Sequence, residues 1–522
     1  MDTQIALVEM PLGISNSKVS KYLFGAATEK ANEAIRDFLI TRVGEHSLNK
    51  SLLVSLGKKK GQIVHPLPKI WRGKIRSLGW NVSEIKSAMM WQGFLFLCFG
   101  YGVCLFATKI LQGFLSYSLS KQEMKGRHVY FNRLTAKELP TGDKSESHDL
   151  ISWYMQWIGR EKKLDWIGHS VKDVQAREVQ GVRLQFMERM PPLRGIMPNL
   201  RFLFWGGWAS LFCLFEWLKG RWWHPLMFSS FVEAYLVRNR ETLAVDHMFH
   251  NSGPTRPLWT YEAENRGSCS TLYFYSTNCD SFKTKEGYQA TPAYYRNMNW
   301  SRYLVWDQEQ AEFVRRCVGN QAKTEIVGPI WYSESSAILP DLTCRTVAVF
   351  DIQPRRKSVY EVLGVALEYY TPAIGIKFVN DIHEVVVQND WIMAWKGKRK
   401  LPQTQTSQIA KSYDSACERL AASSNMLVID PDTAAIRLIE RCALVLSMPF
   451  TSTALVARNL GKPSYYYDPT GIIQKDDRAA HGIPVISGVD ELLETLAMES
   501  AKYNTFPRES CDETMETACG NS

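Results

Sequence analysis

A chain of 522 residues, 45% hydrophobic and 22% charged, holds enough apolar content for two ordinary cores, with no low-complexity tract to subtract from it. The net charge of +9, from 62 basic and 53 acidic residues, points to anionic partners: nucleotides, acidic glycans, nucleic acid or a membrane surface. Eleven cysteines, an odd number scattered from Cys98 to Cys519 without a CxxC pair, argue against a disulfide framework and a structural metal, and they fit a reducing compartment.

Residues 1–85 read as a basic, mostly helical leader broken at "GKKKG" and "HPLPK", and they lack the basic start and apolar core of a signal peptide. An apolar membrane-associated segment at 86–122 follows. Its centre, 88–108 "AMMWQGFLFLCFGYGVCLFAT", carries no charge over 21 residues, which meets the length of a bilayer crossing. Basic residues stand on both sides of it, so charge does not fix an orientation. A second apolar run, 202–215 "FLFWGGWASLFCLF", spans 14 residues, and its Trp, Arg and Lys rim predicts a helix lying in the membrane interface. A monotopic or hairpin attachment keeps the leader and the remaining chain on one face of the membrane.

From 123 to 342, β-like stretches such as "RHVYFN", "VRLQFM", "STLYFYST" and "TEIVGPIWY" alternate with helical ones such as "SHDLISWYMQWIG", "SFVEAYLVRNRETLAVDHMF" and "WDQEQAEFVRRCVG". The pattern predicts an N-terminal Rossmann-like domain with an apolar insertion at 197–230. Asp341 to Arg345 read as a linker. Residues 343–506 predict a second Rossmann-like domain, with strands at "TVAVFDI", "DWIMAW", "NMLVID", "ALVLSM" and "SYYYDP" and helices between them, "YEVLGVALEYYTPAI" and one capped by Asp432-Thr433 among them. A polar tail occupies 507–522. The fold class is therefore α/β, a pair of Rossmann-like domains with helical, membrane-associated N-terminal segments.

One stretch carries chemistry. In "ALVLSMPFTSTALVARNLGKP" a strand ends on Ser447, breaks at Pro449-Phe450 and passes at once into a helix opening on Thr451, Ser452 and Thr453. That geometry puts helix-start amides and hydroxyls at the carboxyl edge of a sheet, where phosphates bind. The same residue types also serve as plain helix caps. Lys396, Lys398 and Arg399 end another strand of the same sheet and bring positive charge to the crevice. Sugar transfer from a nucleotide also needs an acid–base group near the acceptor hydroxyl. Glu262 and Glu264, after a strand expected at "PLWTY", and Asp307 in "VWDQEQ" are the candidates; solvated glutamates and a helix-capping aspartate are the bland readings of them. The Gly328-Pro329 turn falls where the two domains would meet. No acidic pair sits at a convincing strand end, Asp476-Asp477 reads as surface loop, and no metal is expected. The chain lacks a Walker loop, an RNA-binding aromatic signature, zinc spacing and a GxSxG elbow, which argues against nucleic-acid enzymes and hydrolases.

"SMPFTSTALVARNLGKPSYYYDPTG", together with "PLWTYEAENRGSCSTLYFYST", "YLVWDQEQ", "VGPIWY" and "WKGKRK", resembles bacterial surface-polysaccharide biosynthesis proteins named for a Pro-Phe-Thr-Ser motif. The resemblance runs in patches over about 250–475. It implies a GT-B type glycosyltransferase with the donor nucleotide in the C-terminal domain, acting on capsule, lipopolysaccharide O-antigen or a similar glycan at the cytoplasmic face of the bacterial inner membrane. It also implies a nucleotide-sugar as donor substrate, no tightly bound cofactor, a glycan or lipid-linked glycan as acceptor, and no nucleic acid. More distantly the layout is similar to transferases of CMP-activated acidic sugars, with Thr451-Ser452 matching their Ser/Thr pair. Where their His-Pro pair would follow "DWIMAW" this chain has Lys396-Gly397-Lys398-Arg399, so CMP, UDP and GDP all remain open. A non-catalytic membrane scaffold that keeps a nucleotide-binding domain is the alternative.

Overall fold

A computed structural model describes residues 29–44, 61–118, 126–140, 149–159, 162–250 apart from 173 and 175, 256–276, 282–288, 295, 298–330, 339–342, 345–354, 369–397 and 410–504. Two sheets organise the chain. The first comprises β1 (His128–Asn132), β2 (Trp166–His169), β3 (Arg177–Val179), β4 (Val182–Phe186), β5 (Asp246–His250), β6 (Cys269–Tyr273), β9 (Arg302–Val305) and β10 (Thr324–Ile326). A separate hairpin of β7 (Lys283–Thr284) and β8 (Gly287–Tyr288) projects between β6 and β9 in the chain.

The second sheet comprises β11 (Thr346–Phe350), β12 (Ile392–Lys396), β13 (Met426–Ile429), β14 (Leu444–Ser447), β15 (Ser464–Asp468) and β16 (Val485–Ser487). Its spatial order is β13-β12-β11-β14-β15-β16, and every pairing is parallel. The first sheet runs β10-β9-β6-β5-β1-β2-β4-β3, parallel throughout except for β3 against β4. Each sheet thus starts in the middle, winds outward one way and then the other. That is the doubly wound order, which leaves a crevice where the direction reverses: between β1 and β5 in the first sheet, and between β11 and β14 in the second. The expected pair of Rossmann-like α/β layers is the architecture observed.

The strands form for the expected reason: all five residues of β11 and all four of β14 are buried, as befits continuous apolar runs covered by helices on both faces. Four details differ from the sequence reading. "PLWTY" is no strand; its aromatics open the helix Trp259–Asn265 and pack inward. The segment read as one helix through "DHMF" stops at Arg238, and Asp246–His250 is a central strand. In the second domain a helix runs over Pro372–Gln388, begun by Thr371 as N-cap, while 360–368 lie outside the described residues. The helix Ala435–Arg441 starts after Ala434, with no side-chain cap from Asp432 or Thr433.

The apolar segments form one unit. Glu84–Ser118 is a single helix of 35 residues; the 14-residue run lies inside a longer helix, Ile196–Leu218. Both pack on the helix Trp223–Arg238, which is buried along most of its length and shares a core with Phe249, Trp259 and Phe313 of the first domain. Glycines allow the close approach: a Cβ at Gly102 would strike Phe228, and one at Gly206 would strike Phe106.

Candidate functional site

The Ser447–Thr453 stretch lies at the switch point of the second sheet. Ser447 pairs in register with Phe350 of β11, so the chain leaves β14 at the reversal, where a crevice opens over the carboxyl ends of the strands. The turn is tight. Met448 N donates to Phe350 O at 2.8 Å and Thr451 N to Met448 O at 3.1 Å, while Phe450 is held at φ 53°, a left-handed conformation costing a side-chain-bearing residue on the order of 1 kcal/mol. Aromatic packing holds it there: the Phe450 ring sits 5.2 Å from Phe282 and 5.4 Å from Tyr466, and Tyr370 Oη donates to Pro449 O at 2.6 Å.

The hydroxyls are clustered and their bonds are local. Thr451 Oγ1 donates to Met448 O at 2.9 Å, Ser447 Oγ and Thr453 Oγ1 are 3.0 Å apart, and Thr451 Oγ1 lies 3.3 Å from Thr453 Oγ1. Thr451 occupies the N-cap position of the helix Ser452–Asn459, yet its side chain makes no capping bond. The helix thus begins at the turn without a cap from that side chain, and its positive dipole end lies at the carboxyl edge of the sheet.

Strand ends beside it supply further groups. Asp351, directly after β11, is buried and accepts from Trp395 Nε1 at 2.8 Å, from Tyr413 Oη, and from Gln353 N at 3.2 Å. Burial first, and then the negative charge of Asp351, push the Tyr413 phenol well above its ordinary range, so it stays a donor. Lys396 ends β12 as expected, but its ammonium is buried and donates to Pro431 O at 3.0 Å, beside β13. Lys398 and Arg399 lie outside the described residues.

The first domain meets this site directly. Ser276, after β6, stands 3.1 Å from Ser452, oxygen to oxygen, and its carbonyl accepts from Gln310 Nε2 at 3.0 Å. Gly328, at φ 74°, turns the chain after β10 so closely that a Cβ there would lie 3.2 Å from Asn459 Nδ2. The β7–β8 hairpin clasps the loop at 476–478: Lys283 N and Tyr288 Oη donate to Asp477 at 2.8 and 3.0 Å, and Lys283 pairs with Asp476. Asp477, expected on the surface, is buried by this clasp.

The three acid–base candidates are all engaged elsewhere. Glu262 takes Arg238 at 2.7 Å and Glu264 takes Arg256 at 2.5 Å, both on a helix whose last residue, Asn265, stands four residues before β6 begins. They thus lie toward the amino edge of the sheet, away from the cleft. Asp307 caps the helix Gln308–Val318 by accepting from Gln310 N at 3.0 Å. It also holds the second domain, taking His481 Nδ1 at 2.8 Å and Arg458 at 3.1 Å. Burial works to raise the Asp307 carboxyl, but the bond and charge of His481, the Gln310 amide and the charge of Arg458 outweigh it and hold the group below the usual carboxylate range. With Glu309 these groups could converge on a cation, although Arg458 already supplies positive charge there.

A pair the sequence reading missed lies at the switch point of the first sheet. His250 ends β5, Glu138 follows β1, and Nε2 of the one is 3.4 Å from Oε1 of the other. The second Glu138 oxygen accepts from Thr135 N at 2.5 Å in a reciprocal capping box. Burial tends to raise the Glu138 carboxyl, but His250 and the Thr135 amide together keep it below the ordinary range. A fixed carboxylate of this kind sets the tautomer and orientation of an imidazole. Two switch points, one bearing hydroxyls and a helix start and the other an imidazole–carboxylate pair, form the candidate active site.

No protein with a curated description matches the chain. Among solved structures, sucrose-phosphate synthase from Thermosynechococcus elongatus aligns at 9% identity over 72% of this chain and 90% of its own, with a TM-score of 0.36. A ugt transferase from Siraitia grosvenorii in complex with UDP aligns at 9% identity over 70% and 89%, with a TM-score of 0.37. The family described as polysaccharide biosynthesis PFTS motif protein matches residues 209–496, a span that takes in β5 to β16 and the motif turn. The chain belongs to the PFTS motif family of polysaccharide biosynthesis proteins.

Proposed function

We propose that this protein is a glycosyltransferase that moves a sugar from a nucleotide-activated donor to a growing bacterial surface polysaccharide, capsule or O-antigen, at the cytoplasmic face of the inner membrane. The observation that carries the reading is the placement of the Ser447–Thr453 turn at the switch point of a doubly wound sheet, where such sheets take nucleotides. The donor phosphate would lie on the first turn of the helix Ser452–Asn459, bonded by its amides and by the Ser452 hydroxyl and by the Thr451 hydroxyl once that turns from the Met448 carbonyl. These groups stabilise charge that grows on the leaving phosphate. Family membership supports the glycan class of product.

At the facing switch point the acceptor, a glycan or lipid-linked glycan, would present its hydroxyl to His250. The hydroxyl oxygen attacks the anomeric carbon, the bond from that carbon to the phosphate oxygen breaks, and the imidazole takes the hydroxyl proton. Glu138 is the positioning residue that holds the ring and balances the imidazolium formed. The Ser276–Ser452 contact, which joins the two domains beside the motif turn, supports this reading.

The test is thermal stabilisation of the purified full chain by CMP, UDP and GDP, repeated with Thr451→Ala/Ser452→Ala. A ligand that binds only the folded state raises its stability. A shift with one nucleotide that the double variant loses identifies the donor base. No shift with any nucleotide overturns the donor site and favours the scaffold reading, with which the mutually bonded hydroxyls of Ser447, Thr451 and Thr453 are also compatible.

A further inference from the structure

The helix Glu84–Ser118 has two faces. Trp91, Leu95, Phe99 and Phe106 recur at helical spacing and are buried against the helix Trp223–Arg238 and the first domain's core. The helix is long and apolar enough to cross a bilayer of about 30 Å, but its buried face rests along some 15 residues on a helix that shares the first domain's core, an arrangement that fits a helix lying along the membrane. Its other face, with Phe96, Leu97 and Tyr101, is open, and it continues into the open face of Ile196–Leu218, where Phe204 is 77% and Leu218 88% exposed. An apolar surface of this extent marks an interaction site rather than a monomer surface.

A cavity of about 230 Å³ opens at one end of that face. Its wall includes Pro198, in the same first helical turn as the exposed Ile196 and Met197, so the cavity adjoins the start of that apolar helix. Arg194 and Arg240 line it against a single acid, Glu241. Gly195 begins the helix Ile196–Leu218 there with no side-chain cap, which adds the positive end of a 23-residue helix to the same place. Trp166, 3% exposed, completes the wall, and its indole Nε1 has no hydrogen-bond partner among the described residues.

We propose that the protein docks in the plane of an anionic membrane leaflet, with the two apolar helix faces in the acyl region and a phosphate-bearing lipid headgroup in the Arg194–Arg240 cavity. The proposal deepens the membrane association given above and is independent of the donor chemistry. Cation and acyl-binding surfaces adjoin as the two ends of one lipid require, which is the charge complementarity that selects a lipid over a second protein. Lipids approach along the open faces of Phe204 and Leu218.

Co-sedimentation with vesicles tests it, using the full-length chain without nucleotide, on phosphatidylcholine alone and on phosphatidylcholine with phosphatidylglycerol. The wild type binds both and prefers the anionic vesicles several-fold. Arg194→Gln and Arg194→Gln/Arg240→Gln bring anionic binding down to the neutral level, whereas Phe204→Ser/Leu211→Ser/Leu218→Ser lowers binding to both. The single Arg194 variant changes an exposed side chain, so its effect is not one of folding. Anionic preference retained in both arginine variants overturns the headgroup site, and undiminished binding of the apolar triple variant overturns in-plane docking. Inorganic phosphate that raises Tm through Arg194 and Arg240, with no vesicle preference, assigns the cavity to a soluble phosphate and also overturns the lipid. Nucleotide shifts are read separately, so failure here leaves the donor reading standing.

Discussion

Ser276 of the first domain and Ser452 of the second stand with their hydroxyl oxygens 3.1 Å apart, so the residue that opens the motif helix is held from across the domain boundary. A neutral hydrogen bond of this kind is worth about 1 kcal/mol, equivalent to roughly fivefold in an affinity. Ser276→Ala is therefore expected to change the unliganded Tm little and to weaken the stabilising nucleotide about fivefold by titration. Unchanged affinity would show that Ser452 needs no help from the first domain.

Acid–base work at the other switch point makes a different prediction. His250→Ala should lower turnover by about 10²–10⁴-fold and leave the nucleotide-induced Tm shift intact, because the pair stands in the first domain and the proposed nucleotide site in the second. Glu138→Gln keeps the shape and the Thr135 cap but removes the charge behind the imidazole, so kcat should fall and the acidic limb of its pH profile should move. A Glu138→Gln enzyme with the wild-type profile would assign Glu138 to capping alone.

Glu262 and Glu264 belong to stability. Removing the Glu262 charge weakens its ion pair with the partly buried Arg238 guanidinium, at a cost of roughly 1–3 kcal/mol. Glu262→Gln should accordingly lower Tm by several degrees and leave kcat per folded molecule unchanged. A loss of kcat at unchanged Tm would return Glu262 to the chemistry.

Much of this architecture is legible in the residues. The β11 and β14 runs, continuously apolar and bounded by turns, read as buried parallel strands and are, and the break at Pro449 marks the switch point because there a continuously apolar strand ends on Ser447 and gives way to Thr451, Ser452 and Thr453. "WIGH" and "DHMFH" hide two central strands, since their burial comes from neighbours such as the His128 ring stacked 3.9 Å from Trp166. The Glu138–His250 pair is invisible for a related reason: the two residues are far apart in the chain, and only the adjacency of β1 and β5 joins them. "PLWTY" misleads because aromatic composition cannot tell a strand from a short helix packed on another helix.

The pH dependence of folding follows from histidines buried without charge. Burial first, then the nearby Arg240, push His247 down to about 3; burial likewise takes His128 down to about 4, against a bond from its ring to Gly126 O that works the other way. Both are depressed relative to an unfolded value near 6.5, so the unfolded chain binds more protons as the pH falls below that value. Their stabilising contribution is complete above about pH 6.5, declines as pH falls, and is gone only below the folded values. Between pH 7 and 5 each should cost on the order of 1–2 kcal/mol. Tm should therefore drop steeply over that interval, and His247→Leu, which keeps an apolar group beside Trp259 (4.9 Å from the His247 ring in the wild type), should flatten the slope even if it lowers Tm at pH 7. A variant as steep as the wild type would mean that other groups drive the acid response.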